Sequence, residues 1–220
     1  MKIINGYRTA WSLARTAGVA ALGLTLTAAA PHAIHAQSLT QPPLPDKLTV
    51  KAPNQLFLVG HAIGTQNYVC LPSGSGFAFS LFTPEATLFK DLGLEHQVVT
   101  HFFSRNPFEN GAPIRATWQD SRDTSLFWGN ADGVATFATD PNLVAPDAIA
   151  WLRLPRAGVQ DGPDGGNNLS KATFVQRLNT VGGLAPSTGC ALPTDVGNRA
   201  FVPYAADYFF YFDPTAQTDK

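Results

Sequence analysis

Past its first fifty residues, this chain alternates apolar and polar side chains in short runs, broken every few residues by Gly, Pro, Asn or Asp. No run sustains a 3.6-residue period, so the pattern predicts strands rather than amphipathic helices. The candidate strands are Leu56–Val59, Gly64–Leu71, Phe77–Phe82, Ala86–Lys90, Gln97–Phe103, Ile114–Gln119, Leu126–Gly129, Val134–Ala138, Ile149–Leu154, Ala172–Leu178 and Tyr204–Phe212. Many short strands with turn residues between them predict an all-β domain: an antiparallel β-sandwich or a squat β-barrel with long loops. Alternation also assigns faces. Gly64, Gln66, Tyr68 and Cys70 share one side of their strand. Tyr204, Ala206, Tyr208 and Phe210 share one side of the last strand, with Phe209 and Tyr211 on the other. A strand aromatic on both sides is expected to be covered on both faces.

The first 36 residues follow a different pattern. Lys2, Arg8 and Arg15 precede an uncharged run from Ala17 to Ala30, and the segment ends at Ile34-His35-Ala36. A basic start, a short apolar run and a small-residue exit are the marks of a secretory signal peptide. The run is shorter than the roughly 20 residues a membrane-spanning helix needs. No Arg-Arg pair precedes it, which favours ordinary over twin-arginine export. The expected organisation is a signal peptide over 1–36, a Pro-rich arm or tether over 37–53 and a single β-rich domain over 54–220. The expected location is the periplasm or the external medium, with no integral membrane segment after the leader is removed.

Charge and cysteines narrow the function classes. The leader removes three of the fifteen basic residues and none of the sixteen acidic ones. The remaining net charge near −4 gives no footprint for nucleic acid, and no basic cluster marks an anionic membrane surface. Cys70 and Cys190 are the only cysteines, and an even pair in an exported chain reads as one disulfide. A pair of metal-ligating or catalytic thiols is the alternative. Met1 is the only methionine, so the exported part has none for an axial copper ligand.

Several stretches are familiar. Gly64-Thr65-Gln66-Asn67-Tyr68-Val69-Cys70, Pro84-Glu85-Ala86-Thr87-Leu88, Val99-Thr100-His101-Phe102 and Trp118-Gln119-Asp120 resemble motifs of the domain of unknown function 3455 family. So do Ile149-Ala150-Trp151-Leu152, Phe174 through Gly183, Pro186 with Cys190, and Val202 through Tyr211. The resemblance spans about residues 54–212. The chain departs from the pattern in the middle, where Ser104–Arg115 intervenes before Trp118 and an Asp-Gly-Ser stretch stands as Asp123-Thr124-Ser125. The resemblance implies an exported, mostly β protein and no particular activity.

The candidate chemistry is sparse. His101 lies mid-strand among Val98, Val99, Phe102 and Phe103, where it is a candidate general base with Asp120 or Arg177, a candidate metal ligand, or a core histidine bonded to backbone. Gln66, Tyr68, Trp118, Trp151, Gln176 and Arg177 are the candidate ligand-binding set, able to stack a ring and bond hydroxyls of a small molecule or glycan. The bland alternative is core mass and backbone satisfaction. Arg177 needs a partner if buried, and Asp207 and Asp120 are the candidates. Asp161, Asp164, Asn167 and Asn168 offer oxygens for calcium without EF-hand spacing. No Gly-x-Ser-x-Gly elbow, phosphate loop or dinucleotide fingerprint occurs. The expectation is therefore a non-catalytic ligand-binding or envelope-associated module with no cofactor and no metal. The alternative is a small extracellular isomerase or hydrolase. The sequence sets no oligomeric state.

Overall fold

A computed structural model describes residues 41–131 and 136–216, and the leader lies outside the described residues. The strands are β1 (Gln55–Ser73), β2 (Gly76–Phe89), β3 (Gln97–Arg105), β4 (Ile114–Asp120), β5 (Leu126–Gly129), β6 (Thr136–Ala138), β7 (Trp151–Gln160), β8 (Ala172–Gly182) and β9 (Arg199–Phe212). They form one antiparallel sheet ordered β5-β4-β3-β2-β1-β9-β8-β7-β6, and β5 also pairs with β7. That extra pairing closes eight strands into a barrel and leaves β6 outside the ring, against β7 alone. Of the two expected architectures, the barrel is the one that this closure matches. No helix among the described residues is long and apolar enough to cross a membrane.

Eleven expected runs become nine strands because two apparent breaks are not breaks. β1 continues through Gly60 and Gly64, where glycine serves close approach rather than a turn. A Cβ on Gly64 would lie 2.0 Å from the Glu85 carbonyl oxygen, and one on Gly60 would lie 2.9 Å from Leu88. β2 continues through Pro84, beside a bulge that leaves Phe82 unpaired between Thr83 and Leu81. The expected run at Val134–Ala138 starts outside the described residues, and its remainder is β6.

The interior is built from alternate residues. A register row runs Tyr204, Gly64, Ala86, His101, Trp118, Phe127 across six neighbouring strands. Small residues on β1 and β2 leave room for large rings from β9, β3 and β4 to meet. The Trp118 indole lies against Phe127, Tyr208 and Phe210, with centroids 5.8, 5.6 and 6.3 Å away. Leu169, fully buried, belongs to this core from the 161–171 loop, which caps the Asp120 end. There Asn168 donates its amide N–H to Asp123 (2.8 Å) and Leu169 donates to the Ser125 hydroxyl (2.9 Å). Thr124 takes φ 59°, a left-handed conformation unfavourable for a β-branched residue.

A second core lies outside the ring. Val59, Leu178, Phe209 and Tyr211 face outward and are covered by Leu48, Val144, Ala148 and neighbouring residues. The last strand is therefore buried on both faces, as its two aromatic sides require. The Pro-rich arm takes part in that cover. Its 3₁₀ turn Asp46–Leu48 places Leu48 at zero exposure, and the Thr49 carbonyl accepts from the Arg153 guanidinium at 2.8 Å. Residues 44–50 are thus docked on the wall, upstream of the start at Asn54 that composition suggested.

Candidate functional site

At the end of the barrel opposite Leu169, β1, β2 and β9 extend past the ring. The inner side of this extension carries Tyr68, Leu81, Cys70 and Phe79 in register. Cys70 is bonded to Cys190, so the 183–192 loop is fastened over this side, where a Cβ on Gly189 would lie 4.0 Å from the Phe79 ring. Both cysteines are therefore held in one disulfide, and no cysteine is left for a thiol site.

Beneath that rim, the inner faces of β1, β8 and β9 bring Gln66, Tyr68, Arg177, Tyr204 and Tyr208 together, next to His101 and Trp118. Arg177 stands in register between Leu152 and Tyr208. Its guanidinium donates through Nε (3.3 Å) and Nη2 (2.9 Å) to one carbonyl oxygen, that of Ala150. The Tyr68 hydroxyl donates to the Gly183 carbonyl at 2.6 Å. The Tyr204 and Tyr208 hydroxyls share a hydrogen bond of 3.2 Å. Burial raises the pKa of all three phenols, with the nearby Arg177 charge pulling the other way, so at neutral pH they are uncharged. Gln66 is 2% exposed; its side chain reaches the Tyr204 hydroxyl, and its Nε2 makes no well-formed hydrogen bond.

The partner expected for Arg177 is not there. Asp207 faces outward, 2.6 Å from His61 Nδ1 and 2.7 Å from the Asn179 amide nitrogen. Asp120 sits at the capped end, accepting from the Arg122 and Asp123 backbone N–H groups at 2.9 and 3.1 Å. Residue alternation explains the first correction, since Asp207 neighbours Tyr208 and so takes the opposite face. The tight Asp120–Ser125 turn explains the second, because it offers the carboxylate local N–H donors. Among the described residues, no carboxylate forms an ion pair with Arg177.

His101 is stacked on Trp118, with centroids 4.2 Å apart and planes 8° from parallel, and its ring lies 5.3 Å from that of Tyr208. Nδ1 lies 2.8 Å from the Thr117 carbonyl oxygen and must be the donor, which leaves Nε2 as the acceptor. Burial drives the imidazole pKa down from 6.5 to about 3; the Thr117 bond opposes this and the Arg177 charge adds to it. Between those two values the unfolded chain binds a proton that the folded chain refuses. Stability from this group is complete above pH 6.5 and falls as the pH drops toward 3. Going from pH 7 to pH 5 is expected to cost about 2 kcal/mol of unfolding free energy. His101→Phe, which keeps a ring against Trp118, should flatten the urea-derived slope in that window. An unchanged slope in the variant would show that other groups cause it.

The remaining sequence candidates lie elsewhere. Gln176, adjacent to Arg177 and so on the opposite face, is fully buried under the arm. It donates to the Leu48 carbonyl and accepts from the Tyr211 hydroxyl at 2.8 Å. Trp151 belongs to the same outer core. The ligand set thus divides, with Gln66, Tyr68, Trp118 and Arg177 inside the ring and Trp151 and Gln176 outside it. The three histidines of the barrel chain are separated, His61 on the outer wall, His96 beside Asp91 (2.9 Å) and His101 inside. Among the described residues, no three His, Cys, Asp or Glu side chains are grouped to hold a metal ion. Of the residues considered for calcium, Asp161 accepts from the Ser170 hydroxyl, and Asn168 donates its backbone N–H to Asp123 and its side-chain N–H to Asp120, so these two serve the cap. Sequence reading missed Tyr204 and Tyr208 as site residues. Their shared face with Ala206 was the available signal, and it reads equally well as core.

Residues 51–212 match the family described as "Protein of unknown function (DUF3455)". The chain belongs to the DUF3455 family. No curated protein and no solved structure matches it. The three longest DUF3455 motifs in the sequence fall on β1, β8 and β9, which are neighbours in the barrel. Together they supply Gln66, Tyr68, Arg177, Tyr204 and Tyr208. The segment Ser104–Arg115 spans the end of β3, the connection and the start of β4, where Glu109 is paired with Arg115 at 2.7 Å.

Proposed function

We propose that this DUF3455 protein is an exported, non-catalytic ligand-binding module that holds a small molecule at the Arg177 end of its barrel. One observation carries the reading: a half-buried guanidinium on the inner wall has a backbone carbonyl and neutral phenols around it and, among the described residues, no carboxylate paired with it. A charge held that way is costly unless something completes its coordination. The Gln66 Nε2 beside it, which makes no well-formed hydrogen bond, supports the same view. Export is supported by the leader pattern and by the Cys70–Cys190 disulfide.

The enzymatic alternative has less behind it. An imidazole titrating near 3 is a feeble base at neutral pH, and its second proposed partner, Asp120, is committed to the capped end. Thermal unfolding of the purified protein against panels of small carboxylates, aromatics, glycans and metal salts tests the proposal. A reproducible rise in midpoint with one ligand class, lost in Arg177→Gln, is the expected result. No shift with any class would remove it.

A further inference from the structure

We infer that the ligand is a carboxylate carried on an apolar body, with its oxyanion on Arg177 and its body along the rim beside Tyr68. The inference rests on the binding role proposed above and specifies the chemistry of the ligand. Among the polar side chains gathered here Arg177 is the one that carries a full charge, and it can only donate. It spends Nε and Nη2 on a single carbonyl and lies beside the Tyr208 hydroxyl, so of its five N–H groups some remain for an oxyanion. Gln66, buried next to Tyr204, has an Nε2 without a well-formed hydrogen bond. Asp120 and Asp207 are both turned away. The phenol oxygens and His101 Nε2 can accept, but all are neutral, so the uncompensated charge on the wall is the guanidinium, which suits a planar anion gripped through two hydrogen bonds.

The rim sets the rest of the molecule. On the same side as Tyr68 stands Leu81, 39% exposed, with Phe79 beyond it. Val202 pairs with Gln66 in register, and Leu184, 43% exposed, follows the Gly183 carbonyl that holds Tyr68. No charged side chain lies among these four. An anion arriving there brings its counter-charge to Arg177 and covers exposed apolar surface with the remainder.

The test compares matched pairs by titration calorimetry: phenylacetate against phenylacetamide, and hexanoate against hexanamide, with the wild-type protein at low and high salt. Each carboxylate should bind at least tenfold more tightly than its amide, the scale of a charge-assisted pair, and the preference should shrink with salt. Arg177→Gln should abolish the preference, while Arg122→Gln, at the capped end, should preserve it. Equal binding of acid and amide would overturn the inference and leave the ligand-binding role standing. Binding of glycans or of metal salts instead would do the same. Failure of every probe and every panel would overturn both. The wild-type comparison decides the question even where Arg177→Gln does not fold.

Discussion

Replacing Trp118 with alanine is expected to remove about 3–5 kcal/mol of stability, the range for emptying a fully packed indole site. The side chain is 1% exposed and is wrapped by His101, Phe127, Tyr208 and Phe210. These rings come from three strands, β3, β5 and β9, so none can collapse into the hole without moving its own ladder. Trp118→Phe should cost far less, roughly 1 kcal/mol, because the indole Nε1 has no hydrogen-bond partner to lose and a ring remains against His101. Urea unfolding of both variants measures the difference. Equal losses would mean that the indole N–H, rather than packing, holds the site together. Since the same indole backs the Arg177 site, Trp118→Phe is also the variant to use when stability and ligand affinity must be separated.

The second large effect is expected from the disulfide. Cys70 and Cys190 are 120 residues apart in sequence, and constraining a loop of that length destabilises the unfolded chain by up to about 4–5 kcal/mol. The double variant Cys70→Ser, Cys190→Ser should therefore unfold at a midpoint roughly 10 °C lower. Locally, the consequence is uneven. The Cys70 backbone keeps its bonds to Gly197 and Asn198, at 3.0 and 2.8 Å, so the 197–198 end of the loop remains tied. The 184–192 stretch has no comparable backbone tie to β1. Amide exchange should quicken in that stretch and stay slow in β8 and β9. Uniform acceleration would show that the bond acts only on the unfolded state.

Much of the barrel was legible from alternation. The face shared by Gly64, Gln66, Tyr68 and Cys70 and the two-sided burial of the last strand follow from a period of two and need no tertiary information. Grouping Gln176 with Arg177, by contrast, ignored that rule, because adjacent residues in a strand cannot line one pocket. Other features were beyond local reading. The β5–β7 pairing that closes the ring skips over β6, and nothing in Leu126–Gly129 distinguishes a partner several loops away. The docking of Leu48 depends on an outer surface assembled from β8 and β9, which the Pro-rich composition of the arm does not reveal. The solitary position of Arg177 was likewise hidden, since the pleat that turns Asp207 outward and the tight turn that holds Asp120 show only once the strands are paired.

The pairing of β1 with β9, which sets Gln55 opposite Phe212, has a kinetic side. Among the described strands β9 is made after all the others and is the neighbour of the first, so no nascent chain that lacks β9 can complete the cylinder. Hairpins such as β1–β2 can form early, but their inner surfaces stay wet until β9 arrives. A chain with so many distant contacts folds slowly and in one late, concerted step.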